Sequence, residues 1–320
     1  MRELILHIGR HKSGTTAIQH FLNDNRDELL RRGVHVPRAG RRGEGHHALA
    51  EPLRRRLARL SGLTDPRSLA VWRALVAELH GIAPELVAVI SSEAFQNCEA
   101  SLVARGIGGF RTRVLVYLRN QVDYLASAYA QRVHATDYCG SVEDFYRDIF
   151  LPLHDYERFL QGWETQFPGQ LTVRRYRPGT MVQDFAAAAF GMEDLSWATL
   201  RAAANPSLNA QVLEFKRRLN ARGPADAPPP GLLYRVLPEL NARCPAPKFR
   251  VPEALRRDLV ARAERGDSAV AARYFGEAQL FDYSPGAAAA EPLPPLSDAE
   301  FRRMYNCLQD LAAAMRPRGA

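Results

Sequence analysis

The sequence predicts a three-layer α/β protein, in which helices cover both faces of a central parallel sheet. Short apolar runs indicate buried strands near residues 3–8, 86–91, 113–118 and 171–176. Segments with apolar residues at helical spacing separate these runs. A turn bounded by Gly9 and Gly14 follows the first run and leads directly into a helical pattern. Strands that alternate with helices in this way indicate a parallel sheet.

The composition is that of a globular protein that favours anionic ligands. Of the 320 residues, 46% are apolar and 24% are charged, and the net charge is +8. No run approaches about eighteen consecutive apolar residues, and no basic and apolar leader precedes the first strand. We therefore expect neither a membrane span nor a secretory signal. The arginines are spread along the chain without interleaved aromatics, so nucleic acid is not an expected partner.

The four cysteines are predicted to be free thiols. Cys98, Cys139, Cys244 and Cys307 lie far apart, and no C-x-x-C pair occurs. This spacing argues against disulfides and zinc ligation, and it indicates a reducing compartment. We therefore expect a cytoplasmic protein.

The turn between the first strand and the first helix is the predicted centre of the chemistry. Gly9 and Gly14 let backbone N–H groups approach a ligand with no Cβ in the way. The helix that begins at Thr15 points its unpaired N–H groups and its positive dipole end toward the same place. The pattern therefore predicts a cradle for phosphate or sulfate. The helix itself is expected to cover residues 15–32 and to end at Gly33.

The lysine of this turn lies in an unusual position. The spacing of Gly9 and Gly14 is that of a Walker A loop, G-x-x-x-x-G-K-[ST], but Thr15 follows Gly14 and the lysine is Lys12. This shift is expected to carry the ammonium group toward the bond that breaks. Lys12 is one of only three lysines in a chain with 43 basic residues. The turn therefore predicts a P-loop-kinase type of fold with a displaced lysine.

Two histidines precede the next predicted helix, which extends to about Leu60. Residues 38–47 form a polar loop rich in Gly and Arg, which is either mobile or holds an anion. His46 and His47 lie at its end. On the residues alone a solvated pair of histidines is the more common outcome, and a catalytic histidine is the alternative.

Two further strands end in polar residues. Ser92 and Glu93 follow the strand near 86–91, and we expect them beside the turn, because function gathers at the carboxyl ends of parallel strands. Capping of the next helix is a second role for Glu93, compatible with the first. Arg119 ends the strand near 113–118, and Ser127 lies two turns along the following helix, so both can converge on one phosphate. A nucleoside triphosphatase would more naturally carry Asp at this tip to hold Mg²⁺.

Together, these segments resemble the nucleotide-binding motifs of sulfotransferases that use 3′-phosphoadenosine-5′-phosphosulfate (PAPS). The turn HIGRHKSGTTAIQ resembles the 5′-phosphosulfate loop of bacterial members. The strand that ends at Arg119, with Ser127 on its helix, resembles their 3′-phosphate motif. The resemblance covers roughly residues 1–220, with decreasing strength. It implies sulfuryl transfer from PAPS to an acceptor hydroxyl or amine, without a metal ion and with 3′-phosphoadenosine-5′-phosphate (PAP) as product.

The resemblance also implies which residues act. Lys12 stabilises the leaving group. The donor is bound by residues of the two motifs: Arg10, His11, Lys12, Ser13, Gly14, Thr15, Thr16, Arg119 and Ser127. The general base is Glu93 or His47, with His46 as a third candidate, and we favour Glu93 with His47 assisting. Glu93 lies in Ser-Ser-Glu-Ala and not in the Glu-Lys-Ser/Thr sequence of glycan-modifying members, which leaves this choice open. A saccharide or glycoconjugate acceptor is expected by analogy.

We expect residues 1–220 to form the nucleotide-binding core, and residues 221–320 to form a proline-rich insertion and C-terminal helices packed on it. The seven prolines between 221 and 250 leave room only for a short helix near 232–237. Lys248 and Arg250 in this segment close over the nucleotide or are simply solvated.

Two other functions fit parts of the pattern. An atypical P-loop kinase or NTPase would use ATP with Mg²⁺, but the chain has neither a lysine after Gly14 nor a clear metal-binding aspartate. A binding protein without turnover would lack one of the reactive residues, whereas Lys12, Glu93 and His47 are all present.

Overall fold

A five-stranded parallel sheet forms the centre of the computed structural model. The structure describes residues 2–10, 12–201, 208–223, 225, 227–284 and 296–315. The strands are β1 (Glu3–His7), β2 (Val34–His35), β3 (Val87–Ser91), β4 (Arg111–Leu118) and β5 (Leu171–Arg175). They lie in the order β2-β3-β1-β4-β5, and every pairing is parallel. The predicted α/β class with a central parallel sheet is therefore confirmed.

The α-helices account for most of the other regular structure. They are α1 (Thr15–Asp24), α2 (Arg26–Arg31), α3 (His47–Ala50), α4 (Arg55–Leu60), α5 (Ala70–Gly81), α6 (Ala100–Gly106), α7 (Gln121–Ala135), α8 (Val142–Phe145), α9 (Tyr156–Glu164), α10 (Met181–Phe190), α11 (Ala210–Arg222), α12 (Pro230–Arg243), α13 (Glu253–Phe275) and α14 (Asp298–Ala314). Within the described ranges, none of them combines the length and the apolarity needed to cross a bilayer.

Both faces of the sheet are buried, which explains why its strands are continuous apolar runs. Ile5, Val89 and Leu115 lie on one face and belong to a core cluster with α1, α2 and α10. Because side chains alternate along a strand, Leu6 and Ile90 lie on the opposite face, where they are fully buried as well. This arrangement gives the three layers that the sequence predicts.

The chain divides into two compact units that alternate along the sequence. The first comprises Met1–Arg119, Tyr156–Ala203 and Gly266–Leu280, and it contains the sheet. The second comprises Asn120–Asp155, Ala204–Arg265 and Phe281–Ala320, and its described part is helical. The predicted division at residue 220 concerns binding roles and stays a prediction.

The second unit has an apolar core of its own. Leu125 of α7, Phe215 of α11, Leu240 of α12 and Phe301 of α14 are buried in one cluster. The buried Lys216 completes it, because its ammonium group donates hydrogen bonds to two carbonyl oxygens at the end of α7, at 3.0 and 3.2 Å. This lysine therefore holds two helices together.

Three predicted helices differ from the observed ones. The helix expected over 15–32 is interrupted at Asn25, whose side-chain amide donates to a carbonyl of α1 and to Thr199 O, both at 2.9 Å. The helix expected to extend to Leu60 is divided by a 3-10 turn that contains Pro52. In the proline-rich segment, α12 is longer than expected: Pro230 lies in its first turn, where no N–H is needed, and the helix continues through Pro238 to Arg243.

Trp72 of α5 contacts both α3 and α6. Its indole is fully buried, and the ring N–H donates to Leu49 O in α3 at 3.1 Å. A Cβ on Gly106, the last residue of α6, would lie 2.5 Å from the Trp72 ring. Close packing of α5 against α6 therefore requires glycine at this position.

We expect Gly106→Ala to lower the free energy of unfolding by about 1–3 kcal/mol, because the new methyl group displaces the Trp72 indole. Gly81→Ala is the matched control. Gly81 also ends a helix, but a Cβ there meets nothing within 4 Å, so this change should be neutral or stabilise by about 0.4–1 kcal/mol. Urea denaturation of the two variants makes the comparison. Equal effects would contradict the packing argument.

Candidate active site

The carboxyl ends of three neighbouring strands meet at one edge of the sheet. β1 lies between β3 and β4, and His7 at the end of β1 pairs with Ser91 of β3 and with Leu115 of β4. The turn after β1 is therefore flanked by Ser92 and Glu93 on one side and by the end of β4 on the other. This is the position at which open α/β sheets bind ligands.

Three hydrogen bonds within the turn after β1 fix its shape. The Ser13 hydroxyl donates to Arg10 O at 2.6 Å, and it accepts the Arg10 N–H at 3.2 Å. The Thr15 hydroxyl donates to the same carbonyl oxygen at 3.3 Å. Ser13 and Thr15 are buried, whereas Thr16 is exposed. The hydroxyls of Ser13 and Thr15 thus shape the turn, and direct contact of all three with a ligand stays a prediction.

The two glycines of the turn have left-handed backbones and close neighbours. Gly9 has φ +42°, and a Cβ there would lie 3.0 Å from Glu93 Cα. Gly14 has φ +79° and precedes α1, and a Cβ there would lie 2.8 Å from Met181 Cγ. Glycine is required at both positions for its conformation and for its size. The sequence spacing therefore has a direct structural cause.

Lys12 has a left-handed backbone with φ +64°, the sole non-glycine residue with positive φ among those described. The Arg119 guanidinium donates from Nη1 to Lys12 O at 2.7 Å. Burial lowers the pKa of the Lys12 ammonium, and the nearby positive charge of Arg119 lowers it further. The two cations that the sequence assigns to different motifs are thus neighbours in the first unit.

Besides Lys12, two tyrosines contact Arg119. Its backbone carbonyl accepts a hydrogen bond from the Tyr156 hydroxyl at 2.7 Å, and its guanidinium lies 5.1 Å from the centre of the Tyr176 ring. Its Nε–H is buried and has no hydrogen-bond partner within the described ranges. A buried donor of this kind is unfavourable unless an acceptor reaches it. Arg119 is therefore positioned to bind an anion.

Arg10 is a buried cation with aromatic neighbours. Its guanidinium lies 5.1 Å from the ring centre of Tyr156 and 4.6 Å from that of Phe159, distances that allow cation–π attraction. His11, the other residue predicted to bind the donor here, lies outside the described residues. Ser127 lies half-buried on α7 in the second unit, and its role in binding stays a prediction.

The two histidines at the start of α3 have different environments. His46 is buried, accepts the Ser91 N–H on Nδ1 at 3.2 Å, and donates from Nε2 to Pro37 O at 3.0 Å. Burial lowers its pKa to about 4. His46 is therefore a neutral structural residue that connects β3 to the loop before α3.

His47 lies beside Glu93 and is partly exposed. Its Nδ1 is 2.8 Å from the Ser92 hydroxyl and 4.0 Å from Glu93 Oε2. The Ser92 hydroxyl accepts the Ala94 N–H at 3.2 Å, and within the described ranges the acceptor for its own proton is His47 Nδ1. We therefore assign the His47 proton to Nε2.

Gln19 is a residue of the site that sequence reasoning did not assign. Its side-chain amide on α1 donates to Glu93 Oε2 at 2.9 Å, which orients the carboxylate. Its position four residues after Thr15, on the buried face of α1, was the available signal. Ser92, and not Glu93, caps the 3-10 helix that follows β3, so the carboxylate is not used as a cap.

The described residues contain no group of three or more His, Cys, Asp or Glu side chains suited to a metal ion. The cysteines at 98, 139, 244 and 307 are free thiols. The expectation of a metal-independent reaction stays a prediction.

The buried His46 predicts a pH dependence of stability. Its pKa is about 4 in the folded chain and 6.5 ordinarily, so between these values the unfolded chain binds more protons. The free energy of unfolding should therefore fall as the pH is lowered from 6.5 toward 4. In urea titrations at pH 7 and pH 5, His46→Gln should reduce this fall by about 2 kcal/mol. The same change at the exposed His80 is the control. If the free energy of unfolding depends equally on pH in both variants, the effect does not come from His46.

Comparisons with known proteins do not assign a family. No family model matches the chain, and no curated protein matches it. Among solved structures, the chain is similar to the crystal structure of a sulfotransferase from Alicyclobacillus acidocaldarius, with 14% sequence identity and a TM-score of 0.48. The match covers 86% of this chain and 96% of that one. A likeness at this level carries no functional argument, so function has to be argued from the site itself.

Proposed function

We propose that this protein is a sulfotransferase that moves a sulfuryl group from PAPS to an acceptor hydroxyl, by in-line transfer without a metal ion. The acceptor we propose is a saccharide or glycoconjugate. Sulfuryl transfer spreads negative charge onto the leaving oxygens, by the same logic as phosphoryl transfer. Cations and N–H groups that are already in position can therefore supply most of the catalysis.

The observation that carries the proposal is the hydrogen bond from Arg119 Nη1 to Lys12 O, at 2.7 Å. It joins the two segments that resemble the sulfotransferase motifs, although 107 residues separate them in sequence. If the two segments resembled these motifs only by chance, there would be no reason to expect contact between them. Their contact at the carboxyl edge of the sheet supports one shared site.

The residues of this edge suit a donor with several negative charges. The ammonium of Lys12 and the guanidinium of Arg119 lie close enough for their charges to interact, and Arg119 has a buried donor without a partner within the described ranges. An anionic group would remove the repulsion between these cations and satisfy that donor. PAPS would supply the activated sulfuryl group when bound there. In our proposal Lys12 and Arg119 neutralise charge on it, and Ser127 assists Arg119.

The acceptor end of the site is proposed to contain Glu93 as general base. Gln19 holds one carboxylate oxygen, Oε2, which leaves Oε1 to take a proton. The assigned tautomer of His47 carries its proton on Nε2, where it donates a hydrogen bond and does not accept a proton. In our proposal His47 therefore assists by orienting the acceptor through its Nε2–H.

An atypical P-loop kinase or NTPase remains the alternative function. It would bind ATP with Mg²⁺ at the same turn, through the P-loop backbone N–H groups. The position of Arg119 at the tip of β4 favours the sulfotransferase, because a cation there suits a second phosphate and repels a metal ion.

We expect PAP to bind the purified protein in calorimetry without a metal ion, and more tightly than ATP with Mg²⁺. Arg119→Ala should weaken this binding at least about tenfold, since a charged hydrogen bond contributes about 1.5–3 kcal/mol. Arg111→Ala, an exposed arginine at the opposite end of β4, is the control and should bind as the unchanged protein does. Tighter binding of ATP with Mg²⁺, or equal binding by both variants, would favour the kinase.

We expect Glu93→Gln to lower the single-turnover rate of sulfuryl transfer by about 10²–10⁴-fold, because the amide cannot accept the acceptor's proton. PAP affinity should stay within about twofold in the same variant, since this change acts after donor binding. His47→Gln should have the smaller effect on the rate. If His47→Gln abolishes transfer while Glu93→Gln does not, the roles of the two residues are reversed.

A further inference from the structure

Three arginines gather at the loop before α3. Arg26 begins α2, while Arg38 and Arg41 lie on the loop, joined by a turn in which the Arg41 N–H donates to Arg38 O at 3.4 Å. Arg26 reaches this loop, since its Nη2 donates to Pro37 O at 3.4 Å. We refer to Arg26, Arg38 and Arg41 as the arginine cluster.

The carboxylate nearest to the cluster is already engaged by other groups. Glu78 accepts hydrogen bonds from the backbone N–H of Arg38, at 2.8 and 3.1 Å, and from the backbone N–H of Ala39, at 2.8 Å. Its Oε1 also lies 3.0 Å from His35 Nε2. Glu78 therefore holds the backbone of the loop, and within the described ranges no carboxylate forms an ion pair with the three guanidinium groups.

The charge balance at Arg26 is unfavourable. Burial lowers the pKa of its guanidinium, and repulsion from Arg41 and Arg38 lowers it further, against the weaker attraction of Glu78 and Asp27. Its Nε–H is buried and has no hydrogen-bond partner in the part of the chain that the structure describes. A solvated surface arginine would show neither property.

The loop that carries the cluster is fixed in place. Gly40 has φ +78°, and a Cβ there would lie 2.3 Å from Leu49 Cγ, so the loop packs directly on the buried start of α3. The Ala48 N–H donates to Gly40 O at 3.2 Å. Arg38 and Arg41 are thus presented by a backbone with defined contacts.

The arginine cluster is connected to the proposed acceptor end of the site through the Pro37 carbonyl oxygen. Pro37 O accepts hydrogen bonds from both Arg26 and His46, at 3.4 and 3.0 Å. His46 precedes His47, whose Nδ1 lies 4.0 Å from Glu93 Oε2. The Pro37 carbonyl oxygen, the His46 side chain and the backbone from His46 to His47 therefore connect Arg26 to the proposed acceptor end.

We propose that the arginine cluster binds a carboxylate, sulfate or phosphate group of the acceptor, and that the acceptor is consequently an acidic saccharide. The inference rests on the proposed function, since only a transferase has an acceptor. Guanidinium groups suit this task, because their planar N–H pairs match the oxygens of such anions. A bound oxyanion would also remove the repulsion between Arg26, Arg38 and Arg41.

The first test uses sodium sulfate as the probe. PAP occupies the nucleotide site throughout, and sodium chloride at equal ionic strength controls for screening. The Arg26 Nε–H signal is followed by NMR. We expect a saturable shift with sulfate and none with chloride. Arg41→Ala should weaken sulfate binding at least about tenfold. Arg42→Ala, whose guanidinium already pairs with Glu51, should leave it unchanged.

Thermal unfolding separates binding from a structural role. Arg41→Ala should leave the midpoint unchanged or raise it slightly in the absence of sulfate, because it removes repulsion. The rise in midpoint that sulfate causes should be smaller in Arg41→Ala than in Arg42→Ala. If sulfate binds equally to the two variants, or if chloride reproduces the sulfate effect, the proposal that the arginine cluster binds an anion is overturned.

The second test identifies the source of the anion. We compare an oligosaccharide of alternating glucuronate and N-acetylglucosamine with the same oligosaccharide after reduction of its carboxyl groups. The acidic form should bind at least about tenfold more tightly to the PAP-loaded protein, and this advantage should disappear in Arg41→Ala. If sulfate binds but the two oligosaccharides bind equally, the cluster takes a free anion and the proposal of an acidic acceptor is overturned.

The two proposals fail in different ways. If PAP does not bind the unchanged protein, the sulfotransferase proposal fails, whereas the Arg26 signal still reports on the cluster without the nucleotide. If PAP binds and sulfate does not, only the cluster is refuted.

Discussion

The hydrogen bond from Arg119 to the carbonyl oxygen of Lys12 is the interaction on which the site depends. Lys12 has a left-handed backbone, which costs a residue other than glycine about 1–3 kcal/mol. A hydrogen bond from a charged donor contributes about 1.5–3 kcal/mol, so this single contact is large enough to offset that cost. The conformation of the turn is therefore tied to the tip of β4. Loss of the Arg119 side chain would affect the shape of the turn as well as its charge.

Two arginines of the first unit, Arg119 and Arg26, donate hydrogen bonds to carbonyl oxygens and not to carboxylates. Arg119 is bound to Lys12 O, and Arg26 to Pro37 O. A carboxylate partner would have neutralised each guanidinium, whereas a carbonyl partner positions it and leaves its charge intact. Burial lowers the pKa of Lys12 and of Arg26, and the positive charges of neighbouring arginines lower both further, so both places keep positive charge. This is the physical reason to propose an anion at each of the two places.

The sequence predicted the sheet well because its evidence was local. Buried parallel strands are continuous apolar runs, and Gly9 and Gly14 are required by backbone conformations that few other residues adopt. The helix boundaries were less predictable. Asn25 interrupts the first helix through a contact with Thr199, 174 residues away, and no local pattern contains that information.

The roles of individual polar groups depended on tertiary contacts in the same way. Adjacent histidines look alike in the sequence, but β3 buries His46 and leaves His47 beside Glu93. The Ser13 hydroxyl closes the turn around Arg10 O, a contact that the sequence does not show, and its contact with a ligand stays a prediction. In both cases the residue type was informative about the site, while the partner of each atom was set by chain segments that meet only in the fold.

Gln19 and His47 both lie beside the Glu93 carboxylate. Gln19 lies on α1, whose first residues shape the proposed anion cradle, and its amide holds the carboxylate that we propose as base. A small shift of α1 on donor binding would therefore move the base as well as the cradle. Because Thr15 and Gln19 lie on the same helix, α1 connects the proposed base to the turn that we propose binds the donor.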